Sequence, residues 1–315
     1  MNNNFEIINP PSKLTPKQEK KIQNIKKWNK RFMKLQQITP LFLGFVVILI
    51  FAAYAYFSFY LETDRQSTFH ICIITSAIFC IGMFEYTLYV TYREDPGFVP
   101  QNSIGLQDNE DMTYEEIKQM RENERICNIC NCIKEPTTHH CGRCGRCIQV
   151  MDHHCVFIGK CVGLYNRKLF ILVLFWGTVS LLHALIFSLT HIKYMAIVAY
   201  HDGETGNLYS DEIDHCGGDR SALMTRIRHY ATVWIDLYGI AFCLSLLSFL
   251  IHHLYLAIKG TTTFDQMYPS KDTEIKVKKN WYTNLKDIMG NNVWEWFWPF
   301  PNPAARKISI KNISN

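Results

Sequence analysis

Cysteine and histidine crowd into one short stretch of this 315-residue chain, in the order Cys127-x2-Cys130-x9-His140-Cys141-x2-Cys144-x2-Cys147-x4-Asp152-His153-His154-Cys155-x5-Cys161. A Cys-x2-Cys pair sets two thiolates on one side of a metal ion, and zinc takes four thiolate or imidazole ligands at tetrahedral corners. Two such pairs point to two zinc ions. Two structural sites use eight groups and the stretch offers more, so something is left over for thiol chemistry. Spacing alone does not say which groups serve which ion.

The elements that must position this cluster are apolar. Residues 40–61, 69–92, 169–199 and 230–258 form long apolar blocks separated by polar, charged stretches. About 20 apolar residues at roughly 1.5 Å rise cover the roughly 30 Å hydrocarbon layer, so each block reads as a transmembrane helix. The first 39 residues are polar and basic, and the block after them is long enough to act as a signal anchor. Of the 33 Lys and Arg, nine precede residue 40, ten lie between 93 and 168, and nine lie from 259 onward. By the positive-inside rule both termini and the central stretch face the cytosol, with 200–229 as a lumenal or extracellular loop. The net charge of +5 then reflects topology, and no nucleic-acid recognition motif accompanies it. Eight of the twelve cysteines fall between Cys127 and Cys161, in a compartment that disfavours disulfides. The fold expected is an all-α polytopic membrane protein, four transmembrane helices with a cytosolic zinc-stabilised domain between the second and third.

Continued through Asn166 and Phe170, the cysteine-rich stretch resembles the domain of the DHHC family of palmitoyltransferases at every Cys and His and in the Asn-x3-Phe tail. The family's domain lies between spans two and three, where the charge pattern places it here. The resemblance implies a DHHC zinc domain over 125–168, one zinc held by Cys127, Cys130, His140 and Cys147, and a second held by Cys141, Cys144, His154 and Cys161. It leaves Asp152, His153 and Cys155 for catalysis, with Cys132 and His139 as bystanders. It implies protein S-acylation from a long-chain acyl-coenzyme A such as palmitoyl-CoA, membrane or cytosolic protein substrates with juxtamembrane cysteines, and residence in an endomembrane or the plasma membrane.

Those three residues suit acyl transfer. A free cysteine near pKa 8.5 is mostly protonated in the cytosol, and the thiolate is the nucleophile. His153 can take the proton, with Asp152 fixing the imidazole tautomer and stabilising the imidazolium. Zinc on His154 would anchor the turn, as a structural rather than a catalytic metal. Lys134, Arg143, Arg146, Lys160, Arg167 and Lys168 are the candidate partners for the phosphates of the donor.

Other stretches carry the same resemblance. Asp95-Pro96-Gly97, in the 93–124 linker, matches a family turn motif. In the 259–315 tail, Thr262-Thr263-Phe264-Asp265 resembles the Thr-Thr-x-Glu motif with Asp for Glu, and Asn284 to Gly290 resembles a C-terminal motif that packs on the spans. Thr263 is expected beside Asp152. Val156-Phe157 stands where the family has Pro-Trp, and Lys160 where Asn is frequent. Among residues in the apolar blocks, His252 and His253 read as hydrogen-bonded helix or interface residues rather than ligands. Residues 13–34 read as a basic amphipathic helix, 101–125 as an acidic linker, and Trp294, Trp296, Trp298 and Phe300 as an interfacial anchor. No internal repeat is found. A four-span transporter would leave the zinc cluster unexplained, and a catalytically silent zinc-organised scaffold would have no use for Cys155.

Overall fold

The computed structural model describes residues 38–40, 42, 44–45, 68–101, 119, 126–205, 220–269 and 280–302. Helix α1 spans Thr68–Arg93. Six short strands follow: β1 (Ile126–Cys127), β2 (Cys132–Ile133), β3 (His139–Cys141), β4 (Arg146–Ile148), β5 (His153–Cys155) and β6 (Lys160–Val162). Helices α2 (Arg167–Thr205), α3 (Arg220–Lys259), α4 (Thr263–Met267) and α5 (Trp281–Met289) come next, with a final 3-10 turn at Val293–Trp296. The all-α expectation is therefore corrected. The strands pair as three antiparallel hairpins, β1 with β2, β3 with β4 and β5 with β6. At two or three residues each they are too short to show a period-two pattern, and cysteine shares their buried positions with Ile126, Ile148 and Val162.

Two stretches among the described residues, Arg167–Ile186 and Trp234–Lys259, are long and apolar enough to cross a membrane. Only 11% of the second is buried inside the protein. Ile235, Tyr238, Phe242, Leu244, Phe249 and Ile251 on α3 all point outward, and so large an exposed apolar face needs an apolar surrounding. α1 packs on α2, α2 on α3, and α5 on both α2 and α3. The helices α2 and α3 run beyond the apolar blocks, to Thr205 and from Arg220. All of the expected first span except residues 40, 42, 44 and 45, the basic helix over 13–34, and almost all of 101–125 lie outside the described residues.

The third hairpin and the helices share one core, while the first two hairpins pack in smaller clusters of their own. Leu88 of α1, Ile158 and Val162 of the third hairpin, Phe170 and Leu172 of α2, Leu250 of α3 and Leu285 of α5 pack in a single buried cluster that includes Cys155. Arg93 and Lys259 close α1 and α3, where a cation complements the carbonyl end of a helix.

Candidate active site and metal centres

The three hairpins are register copies of one another. Ile126 pairs with Ile133, His140 with Cys147 and His154 with Cys161; beside them Cys127 pairs with Cys132, Cys141 with Arg146 and Cys155 with Lys160. Corresponding positions lie 14 residues apart, as 127, 141 and 155 show. This repeat corrects the sequence reading, which found none. Each metal centre joins two consecutive hairpins: Cys127 and Cys130 of the first meet His140 and Cys147 of the second, and Cys141 and Cys144 of the second meet His154 and Cys161 of the third.

Both centres have the dimensions of a zinc shell. His140 Nδ1 lies 3.6, 3.2 and 3.9 Å from the Sγ of Cys127, Cys130 and Cys147. His154 Nδ1 lies 3.6, 3.3 and 3.5 Å from those of Cys141, Cys144 and Cys161. Bonds of about 2.3 Å to sulfur and 2.0–2.1 Å to nitrogen at tetrahedral angles separate such ligands by about 3.6 Å. In each knuckle the second cysteine's N–H donates to the first cysteine's Sγ at 3.4 Å. Cys132 is fully buried among the ligands of the first centre, and His139 stacks on Phe264 with centroids 3.9 Å apart.

The third hairpin departs from the other two. Cys155 stands where Cys127 and Cys141 supply the first thiolate, but Ile158 stands where Cys130 and Cys144 supply the second. Its thiol is thereby left outside both ligand sets. Side chains alternate across a strand, so His154 on β5 turns to the second metal centre while His153 and Cys155 share the opposite face.

Asp152, just before β5, is fully buried, and its N–H donates to Val162 O at 2.9 Å. Its Oδ2 lies 2.6 Å from His153 Nδ1, and the His153 ring also hydrogen-bonds the Cys155 thiol. Thr263 donates to the same carboxylate from its backbone N, 3.0 Å from Oδ1, and from its hydroxyl, 2.9 Å from Oδ2. Arg167 Nε lies 3.9 Å from Oδ1 and His253 Nδ1 3.8 Å from Oδ2. Burial alone would raise the Asp152 pKa, but the His153 hydrogen bond and the Arg167 charge hold it well below the usual carboxylate range. Burial likewise opposes charge on His153, yet its hydrogen bonds to Asp152 and Cys155 outweigh that and push it up to about 9. The arrangement is a buried carboxylate orienting an imidazole against a thiol.

The supporting motifs hold this group in place. Asp95 Oδ1 accepts from the N–H of Gly97 and of Phe98, both at 2.8 Å, a turn that Gly97 completes at φ +99°. The turn docks on the zinc domain, since Gln149 N–H donates to Gly97 O at 2.8 Å and a Cβ on Gly163 would lie 2.4 Å from Pro96 O. Asn166 accepts from Gly163 N–H at 2.8 Å and donates to Cys161 O at 3.0 Å, joining the third hairpin to the start of α2. Thr262 and Asp265 form a capping box: Asp265 N–H donates to Thr262 Oγ1 at 3.0 Å and Thr262 N–H to Asp265 Oδ2 at 3.1 Å. The cap fixes Thr263 as the first residue of α4, facing Asp152. Asn284 donates to Ile258 O at 2.9 Å, beneath Gly260. Trp294 and Phe300 are exposed, and Trp176 Nε1 donates to Phe297 O at 3.2 Å.

Two residues beside Asp152 have roles the sequence reading did not assign. Arg167 is 4% exposed and donates to Thr261 O, so it braces the site rather than meeting a phosphate. Lys168 is buried too, and Lys160 donates to Glu94 O at 3.0 Å, over the Tyr92 ring. Lys134, Arg143 and Arg146 retain exposure among the basic residues expected to face the donor. His253, read as a hydrogen-bonded helix or interface residue, lies with His153 and Phe170 in a ring cluster; its centroid is 5.5 Å from one and 4.8 Å from the other. An ionisable residue in an apolar helix is a functional candidate by default, which is the signal that could have found it.

A family model described as DHHC palmitoyltransferase matches residues 120–270. The chain is 28% identical to probable protein S-acyltransferase 13 of Arabidopsis thaliana over 287 residues, 84% of this chain and 87% of that one. It is 35% identical to palmitoyltransferase ZDHHC7 of Rattus norvegicus over 118 residues, 36% of each. With palmitoyltransferase ZDHHC20 of Homo sapiens it shares 25% identity over 253 residues, 72% of this chain and 62% of the relative.

Proposed function

The chain belongs to the DHHC family of protein S-acyltransferases, and from that premise we propose that Cys155 is its acyl carrier, with His153 as proton acceptor and Asp152 as the group that orients it. The protein is a palmitoyltransferase of the membrane. The observation that carries the catalytic assignment is the chain of contacts from Asp152 through the His153 ring to the Cys155 thiol.

In the first half-reaction Cys155 has already given its proton to His153, and the thiolate attacks the carbonyl carbon of a long-chain acyl-coenzyme A. A C–S bond to Cys155 forms, the C–S bond to coenzyme A breaks, and the departing thiolate takes the proton back from His153. In the second half a cysteine of the protein substrate gives its proton to His153, attacks the Cys155 thioester and leaves the enzyme thiol free. Each half exchanges one thioester for another, so rate comes from position and thiolate formation rather than driving force. Two zinc ions, one on Cys127, Cys130, His140 and Cys147 and one on Cys141, Cys144, His154 and Cys161, cross-link the hairpins and supply no other chemistry.

The chain crosses the membrane four times with both termini cytosolic, in an endomembrane or the plasma membrane. The Lys and Arg distribution supports this, as does α1, whose 26 residues extend about 39 Å. The acyl tail lies among the spans, where each buried methylene contributes about 0.8 kcal/mol, and the substrates are proteins whose cysteines lie beside the membrane.

The test is incorporation of a clickable palmitate analogue into purified protein, wild type against Cys155→Ser, with and without hydroxylamine. A hydroxylamine-labile label in wild type alone supports the reading. No label on folded, zinc-replete wild type would reduce the chain to a zinc-organised scaffold.

A further inference from the structure

Beside the thiol lies a set of donor atoms larger than acyl transfer requires. His253 is 4% exposed, yet its Nδ1 has no hydrogen-bond partner. A buried polar atom left unpaired costs roughly 1–3 kcal/mol, so its persistence asks for a partner. The nitrogen points at Asp152 Oδ2, 3.8 Å away, and His153 Nδ1 approaches that same oxygen at 2.6 Å. One ligand atom from each of Asp152, His153 and His253 lies within 4.8 Å of the others, which gathers three candidate donors around one point.

We propose that Asp152, His153 and His253 form a third metal site, separate from the two structural centres, which takes Zn2+ reversibly and blocks acyl transfer while it is filled. Two imidazoles and one carboxylate are a donor set that suits zinc and leaves its fourth position open. Imidazole nitrogen suits zinc, copper and nickel, whereas magnesium and calcium seek oxygen alone. Zinc bonds of about 2.0–2.1 Å place such donors about 3.4 Å apart. The 3.8 Å separation therefore closes slightly and the 2.6 Å one opens, both within reach of side-chain rotation. Filling the site takes the Asp152 oxygen away from His153 and ties the imidazole to the ion, so it no longer accepts the Cys155 proton.

The surroundings make this site weaker than the structural pair. Asp152 already accepts two hydrogen bonds from Thr263, and Arg167 Nε lies 3.9 Å from Oδ1. A cation arriving there competes with those donors and meets the guanidinium charge, whereas each structural centre offers four ligands of its own. The structural ions fill first, and the third enters only when zinc is in excess. The metal site stands on its own geometry; its inhibitory effect rests on the assignment of His153 as the proton acceptor.

The experiment is equilibrium dialysis of the purified full chain across a series of buffered free-zinc concentrations, with bound zinc counted by mass spectrometry and Cys155 acylation measured on the same samples. Wild type should rise from two to three ions per chain, and acylation should fall with the same midpoint. His253→Leu and His253→Asn should keep two ions, which reports an intact zinc domain, and take no third. Magnesium at the same free concentrations should leave acylation unchanged. A count that stays at two in wild type, or a third ion that persists in both variants, overturns the site. Acylation that continues undiminished on a chain carrying three ions overturns the inhibition and leaves the metal site standing.

Discussion

Thr263 donates two hydrogen bonds to Asp152, one from its backbone to Oδ1 at 3.0 Å and one from its hydroxyl to Oδ2 at 2.9 Å, across a sequence separation of 111 residues. The carboxylate that orients His153 is thus itself held by the helix that follows the last apolar block. Thr263→Val keeps the shape and the backbone bond and removes the hydroxyl donor. A hydrogen bond to a charged group contributes about 1.5–3 kcal/mol, so Cys155 acylation should slow by about 10- to 100-fold. Thr263→Ser should retain most of the rate. Single-turnover labelling checks both, with zinc content as the control for folding.

Metal removal should unfold the site rather than merely slow it. The second hairpin gives His140 and Cys147 to one centre and Cys141 and Cys144 to the other, so loss of either ion unlinks a neighbour. Apparent zinc binding of about 10–16 kcal/mol matches or exceeds the roughly 5–15 kcal/mol that holds a domain together. Cys144→Ser, which frees the hairpin bearing Cys155, should lose label completely and bind no more than one ion. Acylation that survives chelation of both ions would contradict this.

The turn at Asp95 can be tested through its docking contact. A Cβ at Gly163 would lie 2.4 Å from Pro96 O and 2.6 Å from Ile148 Cγ2, and neither neighbour is the end of a flexible side chain. Gly163→Ala should destabilise the zinc domain by about 1–3 kcal/mol, visible as a lower denaturant midpoint. An unchanged midpoint would mean that the turn does not rest on the domain.

How much of this was open to a reader of the sequence depends on the range of the interaction. The two Cys-x2-Cys pairs and the order Asp152-His153-His154-Cys155 state their chemistry locally, because ligand type and spacing are set within one hairpin. The hairpins themselves were hidden by their brevity, although His139-His140-Cys141 recurs as His153-His154-Cys155, and Arg146-Cys147-Ile148 as Lys160-Cys161-Val162. That recurrence would have shown Cys155 at a ligand position whose partner had become Ile158. Arg167 and His253 were out of reach for another reason. Each sits on an apolar helix with nothing nearby in sequence to mark a partner, and only the packing of α2 and α3 brings them to Asp152.

Asp265 stands where the related motif has Glu, yet the capping box with Thr262 is complete. Glu is the usual residue at that third helical position, so Asp265→Glu should change acylation by no more than about twofold. Asp265→Ala removes one half of the box. Loss of a capping interaction costs about 0.5–2 kcal/mol, and a slackened α4 should loosen Thr263 from Asp152. Acylation as slow in Asp265→Glu as in Asp265→Ala would show that chain length, not the cap, sets the position of Thr263.

The elevated pKa of His153 makes stability fall with alkali. The folded value is about 9 against an ordinary 6.5, so the folded protein holds the extra proton between them. The stabilisation is complete below about pH 6.5 and is lost as pH rises through about 9. Asp152 is the partner in this interaction, and its own depressed pKa records the same contact, so the two are not added. Urea midpoints at pH 6.5 and pH 9.5 should therefore differ in wild type and converge in His153→Gln. Equal slopes in the two proteins would show that the Asp152 contact does not hold a proton on His153.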